Sequence, residues 1–301
     1  MEITCFTWAS VSKKSRLNDR NFTNFAILKK RTVFLPEDSP FFYFADMGLT
    51  ENFNRWYDED GFTFHAEMRV PFTQCGPDGK MMLFDFLRLT TDLSTEDIRL
   101  RGTPIEFLNQ HNIARVVVRS AFHFYQMPKL DDRIEFITAE DKSDSFQFNR
   151  IYKVLDSEGN PLISGVSKWM ITTFDTRKIL PTKAIEKFRK LNTVPLEKPE
   201  TLHCGKIIEP ENMEKVGEET IRRSHLDSNN HTDNAYYAAF IINSLPDEFA
   251  TKPLIDFRIN YSKEALYGET LELFMTKSAE NRIIVVGKKQ DEVSFISELS
   301  F

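Results

Sequence analysis

From Ser224 to Tyr237 the chain reads Ser-His-Leu-Asp-Ser-Asn-Asn-His-Thr-Asp-Asn-Ala-Tyr-Tyr, a density of polar groups that a plain strand-to-helix connection does not need. Asp227, Asn229 and His231 alternate, so in an extended segment their side chains leave on one side and can converge on one atom. A carboxylate, an amide and an imidazole so placed supply a proton acceptor, an oxyanion donor and a second acid–base group. Asp233 or Asn234 is a natural N-cap for the helix that follows, and unpaired N–H groups at that helix start would add donors for a developing negative charge. The competing reading is an Asx-rich turn whose side chains only cap the helix.

Other constellations carry less. Gly165-Val166-Ser167-Lys168-Trp169 lacks the second glycine of a nucleophile elbow and falls inside a predicted strand. His225 and His231 with Asp227 and Asp233 have no HExxH pattern or cysteine ligands beside them, so no metal is expected. Neither GxGxxG nor GxxxxGK[ST] is present, and no nucleotide or other cofactor is expected. Cys5, Cys75 and Cys204 lie far apart without CxxC spacing, which reads as three packing thiols in a reducing compartment.

The elements that must position the cluster follow from periodicity. Twenty-seven phenylalanines against eleven glycines favour a core built on strands. Phe62, Phe64, Ala66, Met68 and Val70 alternate as a strand with one buried face. After a turn at Cys75–Gly79, Met82, Phe86, Leu89 and Leu93, widened by Leu83 and Leu87, recur at helical spacing and predict a helix over 80–93. Alternation returns at 116–124, at Ile134 and Phe136, at Phe146–Val154, and after the hairpin loop Asp156–Asn160 at Ile163–Ile171. The same order then repeats. A helix from His231 presents Ala235, Ala238, Ala239 and Ile242, and strands follow at 255–261, 271–273, 283–285 and 293–296. One constant offset carries Val118 onto Ile255, Phe122 onto Ile259, Phe124 onto Tyr261 and Phe136 onto Leu273, which implies duplication of one helix-plus-meander unit.

Comparison of the copies isolates the polar cluster. By element order the first copy carries Gly76, Asp78 and Lys80 where the second carries Asp227, Asn229 and His231. The offset that aligns the strands sets Glu264 against Met127, so a carboxylate after the second-copy strand also has no acidic counterpart. A turn that only shapes the chain has no reason to differ this way; one active site in a duplicated fold does.

Between the copies, Arg177–Lys190 holds Arg177, Lys178, Lys183, Lys187, Arg189 and Lys190 against Glu186 alone, a local charge of +5. With Pro181 near its start and Pro195 and Pro199 beyond it, this predicts a basic helix ending in an extended linker. The whole chain is acidic, net charge -6, which excludes general nucleic-acid binding and makes the basic segment the place to meet an acidic partner. At 301 residues there is room for two cores. A mean hydropathy of -0.39 and the lack of any run of about 18 apolar residues predict no membrane span. The start of the chain lacks a secretory pattern, which points to the cytoplasm; the seven basic residues and seven Ser or Thr among residues 1–32 make a plastid or other organelle the alternative.

With these residues in place, the chain resembles the acyl-acyl carrier protein thioesterase family over roughly residues 61–301. The resemblance rests on a D-x-N-x-H-x-x-N-x-x-Y run, here Asp227, Asn229, His231, Asn234 and Tyr237, and on a Y-x-x-E run, here Tyr261 and Glu264. In the first half it is carried by Phe122–Thr138, with Pro128 and Asp131-Asp132, then by Arg150, Ser167–Ile171 and Asp175–Lys178. The resemblance implies an α+β tandem, or double, hotdog in which two antiparallel sheets each wrap a long helix. The expected division is an extension over 1–60, a first hotdog domain over 61–180 that holds the acyl chain, a basic helix and linker over 181–205, and a catalytic hotdog domain over 206–301. It further implies that Asp227, Asn229, His231 and Glu264 hydrolyse a thioester without cofactor or metal. The position after the glutamate is a cysteine in some relatives and Ala265 here, which favours carboxylate chemistry.

The expected partner is acyl carrier protein with a phosphopantetheine-linked acyl chain, met by the basic segment, with the enzyme a monomer or homodimer. Either Glu264 or His231 is the general base, with Asp227 orienting the histidine or the water; direct attack by a carboxylate is the other route. An acyl-coenzyme A thioesterase, an acyl-thioester hydratase or dehydratase, and a non-catalytic acyl-binding module are the alternatives.

Overall fold

A computed structural model describes residues 54–141, 143–192, 203–250 and 252–301. Residues 1–53 of the expected extension, with Cys5 and the basic, Ser- and Thr-rich start, and the linker prolines Pro195 and Pro199 lie outside the described residues. The first copy comprises β1 (Arg55–Tyr57), β2 (Phe64–Arg69), α1 (Leu83–Leu100), α2 (Ile105–Gln110), β3 (Ala114–Phe124), β4 (Arg133–Glu140), β5 (Gln147–Asp156), β6 (Pro161–Thr172) and the short β7 (Ile179–Leu180). The second comprises β8 (Glu214–Thr220), α3 (Asn234–Ser244), α4 (Asp247–Ala250), β9 (Asp256–Tyr261), β10 (Thr270–Ala279), β11 (Arg282–Lys289) and β12 (Glu292–Ser300). Arg55–Tyr57, assigned from the sequence to the extension, pairs with β2 and belongs to the sheet.

All strands among the described residues join one antiparallel sheet in the order β1-β2-β4-β5-β6-β3-β9-β12-β11-β10-β8, with β7 on β6. Read outward from the middle, each half gives its strands in the same sequence. The join is β3 against β9, where Phe122 pairs with Phe257, Ala121 with Arg258 and Ser120 with Ile259. The offset between the copies carries Ser120, Ala121 and Phe122 onto Phe257, Arg258 and Ile259, so the pair Ala121–Arg258 lies on a pseudo-two-fold axis. The helical faces differ from expectation in detail. Met82 is the N-cap of α1 and exposed, while Leu83, Phe86, Leu87 and Leu93 are buried. In α3 the buried residues are Ala235, Tyr237, Ala238, Phe240 and Ile241, and Ile242 turns outward, because a helix apolar nearly all round gives the period little to select.

Around α1 the core is aromatic: the Phe86 ring meets Phe122 edge-on at 5.0 Å and Phe124 at 5.6 Å. Gly165 on β6 lies opposite Phe122, and a Cβ there would sit 2.1 Å from Phe122 Cδ1 and 2.9 Å from the Ala121 carbonyl. Gly165→Ala is therefore expected to cost about 1–3 kcal/mol, read as a lower urea midpoint with unchanged m-value.

At its C-terminal end α1 changes character. Thr90, Ser94 and Asp97 are buried polar residues on its inner face, so the helix continues to Leu100, past the end its apolar spacing predicts. Asp97 accepts from the fully buried Arg150 at 2.7 Å, and Arg101, Arg115, Arg150 and Arg189 all converge on Glu140 at 2.6–3.5 Å. Burial alone would raise the Glu140 carboxyl, but the guanidiniums, Arg189 foremost, outweigh it and hold it well below the ordinary carboxylate range. Burial lowers Arg115 to about 9.

Candidate active site

The polar cluster forms a tight turn, not an extended segment. Leu226 and Thr232 make an isolated bridge; Asp227 N–H donates to the His231 carbonyl at 2.8 Å, and Asn230, φ +60°, donates to the Asp227 carbonyl at 3.1 Å. The first copy builds the same turn ahead of α1. There Cys75 bridges Met81, Gly76 N–H donates to the Lys80 carbonyl at 2.8 Å, and Gly79, φ +72°, donates to the Gly76 carbonyl at 2.9 Å. Two different sets of side chains thus support one backbone path, so the path itself does not require the acid, amide and imidazole of the second copy.

Asp227 holds its own turn. Its Oδ1 accepts the backbone N–H of Asn229 at 2.8 Å and of His231 at 3.1 Å, and its Oδ2 accepts from Asn229 Nδ2 at 3.3 Å. It positions His231 through the main chain and orients the amide of Asn229. Glu264 arrives from the loop after β9. That loop is fixed by Thr232, whose N–H and Oγ1 both donate to the Ala265 carbonyl at 3.2 and 2.7 Å, and by Ala265 N–H donating to Tyr237 Oη at 3.2 Å. Met81 N–H donates to the Pro128 carbonyl at 2.8 Å in the first copy, the matching bond, which places Met127 where the second copy has Glu264. Glu264 Oε2 lies 3.5 Å from His231 Nδ1.

The third partner comes from the first copy. Arg177, in the turn between β6 and β7, donates through Nη1 to Glu264 Oε2 at 2.5 Å and through Nη2 to His231 Nε2 at 3.0 Å. The sequence placed Arg177 among the carrier-binding residues, and the site residues in the second copy alone; the guanidinium crosses between copies.

At the start of α3, Asp233 is the N-cap: its Oδ1 accepts from Ala235 N–H at 3.0 Å and its carbonyl from Tyr236 N–H at 2.9 Å. These two donors, expected to face an oxyanion, are already occupied. Burial pushes the Asp233 carboxyl up. Beside Asn234 and Ala235 a cavity of about 20 Å³ is lined also by Thr90, Ser120, Tyr152 and Tyr261; it has room for one water and not for an acyl chain. In the first copy, where the acyl chain is expected to lie, Phe86, Phe122, Phe124, Phe136 and Tyr152 pack against one another.

The basic segment is corrected in two respects. It forms only a 3₁₀ turn, Thr182–Ile185, and not the basic helix expected within Arg177–Lys190: Ile185 is buried, and Thr182 is buried with its Oγ1 donating to the Asp144 carbonyl at 2.7 Å. Lys178, Lys183, Lys187 and Lys190 are exposed, but Arg189 is buried on Glu140 at 2.6 Å and presents no charge to a partner. Cys204 is buried and its thiol pushed up to about 11, which leaves it inert. Among the described residues no group of three or more His, Cys, Asp or Glu is arranged to hold a metal. No helix among them is long and apolar enough to cross a membrane.

Solved structures share this architecture. An acyl-ACP thioesterase from Bacteroides thetaiotaomicron VPI-5482 superposes with a TM-score of 0.71 at 23% identity, covering 81% of this chain and 100% of that one. The 12:0-ACP thioesterase of Umbellularia californica superposes with a TM-score of 0.69 at 17% identity, covering 79% and 96%. No curated protein sequence matches significantly. The fold is the α+β double hotdog. Family models make the assignment specific: the acyl-ACP thioesterase N-terminal domain matches residues 61–186 and the C-terminal domain residues 208–295. The chain belongs to the acyl-ACP thioesterase family, and its reaction is hydrolysis of an acyl-carrier thioester to free fatty acid and carrier thiol.

Proposed function

We propose that Glu264 is the base that activates water, with Asp227, Asn229 and His231 completing the catalytic set. The observation that carries this reading is the shared guanidinium: Arg177 Nη1 donates to Glu264 Oε2 and Nη2 to His231 Nε2, and of these two acceptor groups the carboxylate keeps a second proton-accepting atom, Oε1. His231 Nε2 is already an acceptor for Arg177, so it has no lone pair left for a water proton. Glu264 takes a proton from the attacking water and returns it to the departing phosphopantetheine thiolate. Asn229, whose Nδ2 gives one hydrogen to Asp227 and has a second to offer, supplies an oxyanion donor, a contribution of roughly 3 kcal/mol in known oxyanion holes. The first copy holds the acyl chain once its aromatic core opens, each buried CH₂ contributing about 0.8 kcal/mol.

The carrier is acyl carrier protein, engaged through Lys178, Lys183, Lys187 and Lys190, four exposed cations on an acidic enzyme. The protein acts as a cytoplasmic enzyme that ends acyl-chain elongation. A panel of acyl carrier protein and coenzyme A thioesters of graded length, read by free thiol release, is expected to favour the protein-bound series. Equal rates on both series would remove the carrier assignment, and products other than free acid would favour a hydratase.

A further inference from the structure

Among the described residues, Arg177 is the charged group that touches both His231 and Glu264, and its backbone is in an unusual state. Five described non-glycine positions have positive φ, and three of them are Asn or Asp, which tolerate the left-handed region. Arg177 at φ +57° has no such local excuse. The turn is held there from several sides. Asn112 Oδ1 accepts the N–H groups of Phe174 and Asp175 at 2.9 and 3.1 Å, Arg177 N–H donates to the Thr173 carbonyl at 3.1 Å, and Lys178 N–H donates to Thr173 Oγ1 at 3.0 Å. Strain kept in place by that many bonds, with the strained residue reaching into the site, is where function is to be sought. Stability is no explanation, since the Arg177 side chain is 52% exposed and its ion pair with Glu264 contributes little to folding.

We infer that Arg177, supplied by the first copy, is a positioning residue for catalysis in the second: one guanidinium fixes the tautomer of His231 and aims Glu264. Arginine has donors and no acceptor. Its contact with Nε2 therefore requires the lone pair of the imidazole on Nε2 and the proton on Nδ1, the nitrogen that faces Glu264 Oε2 at 3.5 Å. The other Nη of the same fork, Nη1, donates to Glu264 Oε2 and leaves Oε1 as the oxygen free of this ion pair. Two acceptors spanned by one planar fork cannot be spanned in the same way by the single ammonium of lysine. The inference rests on the reading of Glu264 as the base, and it removes Arg177 from the carrier-docking set.

The test uses the full chain with an acyl carrier protein thioester. In Arg177→Ala kcat is expected to fall about 10²-fold with KM within a few-fold, the loss typical of a misaimed catalytic group. Arg177→Lys should recover only a small part of it, and millimolar guanidinium should restore part of the activity of Arg177→Ala. Long-range ¹H–¹⁵N spectra should show His231 as the Nδ1–H tautomer in the wild type and a mixture in Arg177→Ala. Arg177→Gly, free of backbone strain, should melt no lower than the wild type while losing the same kcat. Unchanged kcat with a raised KM would make Arg177 a docking residue. Loss of kcat together with a lower melting temperature in Arg177→Gly and an unaltered His231 spectrum would make it structural. Either result overturns the inference. A separate arm, Glu264→Gln, tests the underlying reading: full activity there removes Glu264 as base whatever the Arg177 variants do.

Discussion

Glu264→Gln is expected to lower kcat by about 10²–10⁴-fold, the range lost when a general base is removed. The substitution is nearly isosteric. A glutamine carbonyl in place of Oε2 still accepts from Arg177, so the orientation of the side chain and of His231 is retained, and what is lost is the ability of the second oxygen to take a proton. Because the carboxylate is 36% exposed and its ion pair is solvated, folding stability should stay within about 1 kcal/mol of the wild type. Stopped-flow thiol release with an acyl carrier protein substrate, together with a urea titration, checks both halves. Asp227→Ala is a different experiment, since it removes three hydrogen bonds that shape the 226–232 turn and displaces Asn229 and His231 together. Loss of activity in Asp227→Ala thus reports on geometry as much as on chemistry. A Glu264→Gln enzyme with undiminished kcat would return the proton-accepting role to His231.

The duplication was legible because a buried sheet face enforces period two on both copies, and a single constant offset carries β3 onto β9. The acid, amide and imidazole were legible because the same turn exists in the first copy without them. Arg177 was not, since its contact with His231 and Glu264 spans 54 and 87 residues and joins the first copy to the second, which no local pattern reveals. Charge counting assigned Arg177 and Arg189 to one basic surface, yet one contacts His231 and Glu264 and the other is buried. Helix α1 was read too short for a related reason. Its apolar period fails at Thr90, Ser94 and Asp97, and nothing local shows that Arg150, on a strand more than fifty residues later, makes a buried aspartate tolerable. Arg150 does carry a trace of this: it occupies a β5 position whose neighbours on the same face, Phe148 and Tyr152, are buried, so a charge there required a buried partner.

That partnership sets the largest expected effect on stability. Glu140→Gln is expected to destabilise the fold by about 3–5 kcal/mol, the cost of leaving buried cations without their common anion. Arg189, Arg115, Arg101 and Arg150 all lie within 3.5 Å of the Glu140 carboxylate, and only Asp97 remains among their described anionic partners once it is neutralised. The cost depends on pH with a definite sign. The native Glu140 carboxyl lies below its ordinary value of 4.5, so its contribution is complete above that pH and is lost as pH falls below it. Urea midpoints of wild type and Glu140→Gln should therefore be far apart at pH 7 and approach each other in acid. The pair on the other side of the cluster separates charge from shape. Asp97→Leu or Arg150→Met alone strands a buried partner, whereas the double variant removes both ends of the 2.7 Å pair and is expected to recover much of the loss of either single change. A Glu140→Gln protein as stable as the wild type at pH 7 would mean that the four guanidiniums are neutralised elsewhere, and the cluster could no longer be what lets α1 keep a polar inner face to Leu100.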